Sequence, residues 1–208
     1  MELPDTLAQS LTTPEAGQVL TALARTAIAS ELNLKTPEPP LGVPWLEQPG
    51  AAFVTLTISD EQGDHALRGS SGSLVAHRAL GEDVQANARA AAFRDPRFIP
   101  LTVEELSRIA IEVSVLTPPK ELVFTSQEDA LAQLRPGVDG VIFQAKGAQA
   151  TFLPQMWEEL PHPVEFMQLL RRKARVRFDY WGPDVKLFTY QVVVFSEPAP
   201  PPRQSADA

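Results

Sequence analysis

The side chains able to do chemistry gather in three short stretches: Arg68-Gly69-Ser70-Ser71-Gly72-Ser73, Arg94-Asp95-Pro96-Arg97 and Gln155-Met156-Trp157-Glu158. A serine hydroxyl is barely ionised at neutral pH, so Ser70 or Ser71 becomes a nucleophile for acyl transfer or hydrolysis only with a positioned base. The stretch misses the Gly-x-Ser-x-Gly elbow, because Ser73 stands where the second glycine belongs, and it lacks a Gly-Lys-Ser ending for phosphate. An anion-binding nest is one reading of Gly69 to Gly72; the plainer one is a tight turn or bulge between strands. Arg97 offers a planar fork of donors that, with Arg94 and Asp95, could clamp an acidic group, or equally form an internal ion pair at a helix end. Gln155, Trp157 and Glu158 follow a hairpin, where loops often bind ligands, although Trp157 is equally a core residue. Glu112 and Lys173 read as a solvent-facing strand residue and a helix-end charge.

Three histidines, His65, His77 and His162, form no His-x-x-x-His pair, and cysteine is absent. Disulfides, thiolate nucleophiles and zinc–thiolate sites are thereby excluded, and neither a metal nor a cofactor is expected. The formal charge of −8 removes the default electrostatic support for phosphate-backbone binding, so nucleic acid is disfavoured as a partner. Hydrophobic residues at 44% and charged residues at 21% lie in the globular range. No apolar run approaches the roughly 20 residues needed to span a bilayer, and Met1 to Asp5 lacks a secretion-signal pattern. The expected location is the cytoplasm.

These stretches need elements to position them. After a loose lead-in over residues 1–12, Thr13-Pro14 opens a helix with Leu20, Leu23, Ala24, Ala27 and Ile28 on one face, fading near Asn33. Pro37 to Pro44 forces an extended connection. Ala52 to Ile58 alternates as a strand, Asp60 to Asp64 turns, and His65 to Arg68 returns antiparallel until the Gly69 to Ser73 loop interrupts it. Ala79 to Phe93 reads as a helix ended by Asp95-Pro96. Thr102 to Glu105 is a capping box before a short helix, and Ile109 to Thr117 is a strand. Ser126 caps another helix, Val141 to Gln144 and Ala150 to Leu153 form a hairpin around Lys146-Gly147, and Pro163 starts a helix with Arg171, Arg172, Lys173 and Arg175 near its end. Val185 to Phe195 reads as one central strand, and the proline-rich end from Pro198 as disordered.

The order of loop, helix, turn and strand from Leu67 to Thr117 resembles the AMMECR-one domain family. Gly140 to Phe143, Ala150 to Glu158, Lys173-Ala174 and Phe195-Ser196-Glu197 are similar to further blocks of that family, and the resemblance covers roughly residues 15–197. It implies an α+β fold, a two-lobed AMMECR-like domain with mixed or antiparallel sheet and flanking helices, here over 13–197 with a tail over 198–208. Two departures stand out: Ser70 and Ser71 replace the start of the family's Cys-Ile-Gly, and Arg175 replaces a glycine after the Lys-Ala pair.

The resemblance further implies an accessory or binding subunit of a modification system, associated with a Memo-like protein and a radical S-adenosylmethionine protein. The alternatives are an enzyme using Ser70 or Ser71, and a nucleic-acid-associated regulator. Arg68, Gly69, Ser70, Gly72, Asp95, Arg97, Gln155, Trp157 and Glu158 are the expected ligand- or partner-binding residues, bordering one cleft.

Overall fold

The computed structural model describes residues 5–35, 42–59 and 65–198. It is α+β and divides into two compact units, one of Glu2–Leu116 with Val193–Ala208, the other of Thr117–Val192. The Asp60 to Asp64 turn, most of the Pro37 to Pro44 connection and the tail beyond Pro198 lie outside the described residues.

The first unit is a sheet backed by two helices. Its strands are β1 (Pro49–Ser59), β2 (His65–Gly72), β3 (Arg78–Ala79), β4 (Ile109–Leu116) and β9 (Val192–Ser196). They lie in the order β2-β1-β4-β9, with β3 pairing the start of β1. The helices are α1 (Asp5–Ser10), α2 (Pro14–Glu31), α3 (Leu80–Phe93) and α4 (Val103–Leu106). The apolar stripe of α2 and the Leu80, Val84, Ala88 and Ala91 face of α3 pack with Val54 and Leu56 of β1 and Ile111, Val113 and Val115 of β4 into one core. Alanine on α3 brings that helix close to the strands, and each large core side chain withdrawn from water adds about 1.5–3 kcal/mol. The lead-in is helical instead of loose, because Leu7 and Leu11, one turn apart, are buried in this core.

A polar hub lies inside the same core. Asp83 is fully buried on α3, and both its oxygens are saturated. Oδ1 accepts from Ser73 Oγ at 2.7 Å and Arg78 Nε at 2.8 Å; Oδ2 accepts from the Ala52 N–H at 2.9 Å and Asn87 Nδ2 at 3.0 Å. Asn87 also donates to the Ala52 carbonyl and accepts from Ser71 Oγ. Buried polar groups of this kind are tolerable only when fully paired. The hub fixes α3 on the start of β1 and the end of β2.

The second unit holds a sheet of order β5-β8-β6-β7, from β5 (Lys120–Leu122), β6 (Gly140–Ala145), β7 (Ala148–Phe152) and β8 (Lys186–Tyr190). Its helices are α5 (Gln127–Gln133), α6 (Met156–Glu159) and α7 (Pro163–Lys173). The β6–β7 hairpin turns on Lys146 and Gly147 at φ of 53° and 72°, the left-handed pair that a two-residue hairpin needs. Trp157 stacks on Phe166 at 3.7 Å between centroids, over Phe143, Met167, Leu170 and Leu187.

The single strand expected over Val185 to Phe195 is two. β8 sits centrally in one sheet and β9 at the edge of the other, parted at Gln191. Gln191 exchanges backbone and hydroxyl bonds with Thr117 at 2.8 Å, which ends the ladder there.

Asp83→Ala strands the Ala52 N–H, Arg78 and Asn87 without their acceptor. The expected cost is about 3–5 kcal/mol of unfolding free energy, the scale for breaking one partner out of a buried charged network. Urea denaturation followed by circular dichroism measures it; a loss under about 1 kcal/mol would contradict the role of the hub.

Candidate functional site

The Arg68 to Gly72 stretch is not a loop that interrupts β2. It is the strand itself, with a bulge in the pairing to β1: Leu56 faces Gly69 and Thr57 faces Leu67, leaving Arg68 as the extra residue. Gly69 is required by contact: a Cβ there would sit 2.1 Å from the Ala91 carbonyl oxygen at the end of α3. Gly72 lies against the Phe53 ring, where a Cβ would meet Cγ at 2.2 Å.

Successive strand residues face opposite sides, so Ser70 and Ser71 are separated by the sheet. The Ser71 hydroxyl donates to Asn87 Oδ1 at 3.1 Å on the α3 side, while Ser70 Oγ lies 3.2 Å from Thr55 Oγ1 on the neighbouring strand. Neither hydroxyl is bonded to a group that would act as its base among the described residues. His65 lies 3.1 Å from Ser59, His77 is bonded at the Val75 carbonyl, and His162 precedes α7.

Arg68 is 6% exposed, a buried cation on an edge strand. Its Nε and Nη2 donate to the two oxygens of Glu105 at 2.8 and 2.9 Å, and Nη2 also reaches the Ile99 carbonyl at 3.0 Å. Glu105 simultaneously closes the capping box of α4, its Oε2 accepting from the Thr102 N–H at 2.9 Å. Arg68 holds the Glu105 carboxyl below its ordinary pKa.

The Arg94 to Arg97 turn comes to the same place. Asp95 Oδ2 accepts the Ser70 N–H at 2.9 Å, which occupies the outward edge of β2, and both Asp95 oxygens are gripped by the Arg97 guanidinium at 2.9 and 2.6 Å. The Arg97 bonds drive the Asp95 pKa far below the carboxylate range, against the opposing effect of burial. Phe98 is carried between the two cations, 5.7 Å from Arg68 and 5.5 Å from Arg97. On the segments that these bonds tie together, Leu67, Ile99 and Val103 are 42%, 76% and 47% exposed. Arg94 points away, its Nη1 3.6 Å from Glu31.

The third expected segment belongs to the other unit. Trp157 is 3% exposed, stacks on Phe166 and donates its indole N–H to the Asp139 carbonyl at 2.7 Å, a core role. Gln155 is half-buried at the start of α6 and Glu158 is exposed. Lys173 donates to the Thr151 carbonyl at 2.9 Å beside the Phe152 ring. Glu112 is half-buried, with Ser196 Oγ donating to it at 3.3 Å.

Phe98, Ile99 and Glu105 were not among the expected site residues. Glu105 was visible only as a capping residue, and nothing in its spacing announces a second partner 37 positions upstream.

The AMMECR1 family profile matches residues 21–195. The chain belongs to the AMMECR1 family. It is 36% identical to Protein Ta0236 of Thermoplasma acidophilum over 181 residues, covering 86% of this chain and 85% of that one. A Thermofilum pendens protein is 35% identical over 195 residues, covering 89% and 92%. The crystal structure of the uncharacterized protein PH0010 from Pyrococcus horikoshii superposes with a TM-score of 0.82 at 32% identity, over 91% of this chain and 95% of that one. At the position where the AMMECR1 resemblance places cysteine, Ser70 is turned toward Thr55. No helix among the described residues is long and apolar enough to cross a membrane.

Asp95 and Glu105 are both held below their ordinary pKa in the folded state. Each therefore contributes stability that is complete above the unfolded value, about 4, and is lost as pH falls toward the folded one. Asp95→Asn is expected to unfold at lower temperature than the parent at pH 7, with the gap narrowing below about pH 4. Thermal unfolding from pH 7 to pH 2 checks this; a gap independent of pH would show that the charge of Asp95 contributes nothing.

Proposed function

We propose that this chain is an accessory, binding subunit whose recognition surface is the Phe98 face of the first unit, and that it works with a Memo-like protein and a radical S-adenosylmethionine protein. The pairing with those two protein types rests on the family resemblance. The observation that carries the choice of surface is the Phe98 ring held near two guanidiniums, next in sequence to Ile99, which is 76% exposed and is tied through its carbonyl to Arg68.

An exposed side chain like Ile99 gains by being covered, and a rigid aromatic flanked by arginines is the composition enriched at protein interfaces. The surface is also preformed. Ile99 is held through its own carbonyl by Arg68, and Val103 begins the helix that Glu105 caps. Little ordering entropy is then lost on docking. The partner is expected to present an apolar segment.

The hydroxyls of Ser70 and Ser71, each engaged with a neutral neighbour, support a structural part for that stretch. The experiment is co-expression with the Memo-like and radical S-adenosylmethionine proteins of the same genome and capture through a tag on this chain. Ile99→Glu, which alters an exposed side chain and leaves the Arg68 bonds in place, should cut recovery of the partner at least tenfold with an unchanged thermal midpoint, since a desolvated hot-spot contact is worth 2 kcal/mol or more. Undiminished recovery would move the interface elsewhere. Absence of either partner from the unaltered chain's capture would overturn the proposal.

A further inference from the structure

One edge of an arginine, the edge formed by Nε and Nη2, fits a carboxylate with two parallel hydrogen bonds. This protein uses that edge repeatedly. Arg25 holds Glu197 with it, Arg68 holds Glu105, Arg97 holds Asp95, Arg135 holds Asp139 and Arg177 holds Asp179. Arg171, in the last turn of α7, makes no such fork. It is 2% exposed, more deeply buried than any of those five, and its Nε and Nη2 have no partner among the described residues.

The guanidinium is nevertheless fixed in place. Nη1 donates to the Phe178 carbonyl at 2.7 Å, and the cation lies 5.2 Å from the centre of the Trp181 ring. Trp181 in turn packs against Phe124 at 5.3 Å. Two donors are thus aimed from a held group into an apolar, aromatic setting, where leaving them unmade is costly. Burial lowers the Arg171 pKa, and the nearby Asp179 only partly offsets this. Asp179 does not supply the missing acceptor, because both its oxygens face Arg177.

We infer that the Nε–Nη2 edge of Arg171 anchors the carboxylate of a small ligand with an apolar body, bound within the second unit. Charge and surroundings together select this class. With Asp179 matched by Arg177, Arg171 leaves one positive charge to neutralise, which suits a monoanion better than a phosphate dianion, and the neighbouring surface is indole and phenyl. Access runs through the segment Arg175 to Asp184. That stretch has no strand pairing: the N–H groups of Val176, Tyr180 and Val185 reach the carbonyls of Arg171, Arg177 and Gly182 at 3.0 to 3.1 Å. Asp184 accepts from the Tyr180 hydroxyl and the Lys146 N–H, and Val176, Tyr180 and Trp181 are only partly buried against the core. Segments held this way open at lower free energy than a sheet or helix core. The inference does not depend on the role of the Phe98 surface.

Calorimetry of the full chain in sodium cyclohexanecarboxylate, inorganic phosphate and sodium chloride at equal ionic strength tests the inference. The carboxylate should raise the unfolding midpoint above its value in chloride, by about 2–4 °C at five times the dissociation constant, with phosphate giving less. Arg171→Met should lose the response while unfolding in chloride at or above the parent's midpoint, since it removes an unpaired buried charge. Arg171→Lys, which keeps the charge without the fork, should lose it as well. In the unaltered protein one arginine Nε–H resonance should move downfield on adding the carboxylate. No rise over chloride, an equal rise in either variant, or no moving Nε–H signal would overturn the site; a phosphate response matching the carboxylate's would overturn the ligand class.

Discussion

The ion pair between Arg68 and Glu105 organises the surface of the first unit. Arg68 is the residue that the bulge leaves without a cross-strand neighbour, so its side chain is free to leave the ladder and bury. Its bonds cross from β2 to the Ile99 carbonyl and to α4, and Glu105 passes the connection on to the Thr102 N–H. The segment between α3 and α4 carries no regular ladder of its own. The Arg68–Ile99 and Asp95–Ser70 bonds link it to β2, the Arg68–Glu105 fork reaches it through the Thr102 N–H, and buried Leu101, whose N–H donates to the Ala92 carbonyl at 2.9 Å, ties it to α3. The fixed placement of half-buried Phe98 beside the exposed Ile99 follows from those links. The glycine at 69 is part of the same constraint, because α3 must approach β2 closely for its following turn to reach the strand edge.

The two units solve the burial of polar groups in different ways. In the first, the Asp83 carboxylate draws four donors and leaves no lone pair idle, which makes the sheet–helix contact specific as well as apolar. In the second, stacked aromatic rings carry the core, and buried hydroxyls are paired locally, as Thr151 is with the Val141 carbonyl and Tyr190. Burial raises the Tyr190 pKa strongly, so its hydroxyl stays a proton donor throughout the physiological range. Arg68 leaves Nη1 buried without a partner among the described residues, whereas Arg171 leaves both Nε and Nη2, its whole fork, unpaired.

Much of the architecture was legible. The capping box at Thr102 to Glu105, the Ser126 cap, Pro163 at the start of α7 and the Lys146-Gly147 turn are local patterns with local causes, and each formed as its chemistry requires. Long-range facts were hidden. An arginine between leucine and glycine reads as surface, since its burial depends on a carboxylate supplied from α4. Glycine and serine at 69 to 73 read as a turn or a bulge; the bulge is there, and the continuation of the strand through it was hidden because pairing with β1 is a tertiary event. The split of the last apolar run into β8 and β9 leaves no trace in periodicity, which cannot tell one long strand from two in different sheets. Asp83 and Asn87 offered a usable signal: two polar residues four apart beside Val84 and Ala88 on the packing face of α3 mark a buried network.

The Phe98 surface depends on Arg68 and Glu105 acting together, and their coupling energy is directly measurable. A double-mutant cycle with Arg68→Met, Glu105→Gln and the pair, each unfolded in urea at pH 7, isolates it. The two side chains are 7% and 22% exposed, sheltered enough for a charged fork to retain most of its strength. The predicted coupling is about 1.5–3 kcal/mol, as for hydrogen bonds between charged groups. A coupling within about 0.3 kcal/mol of zero, in variants that still unfold cooperatively, would mean that the two side chains only lie near each other and that something else holds the Phe98 surface in place.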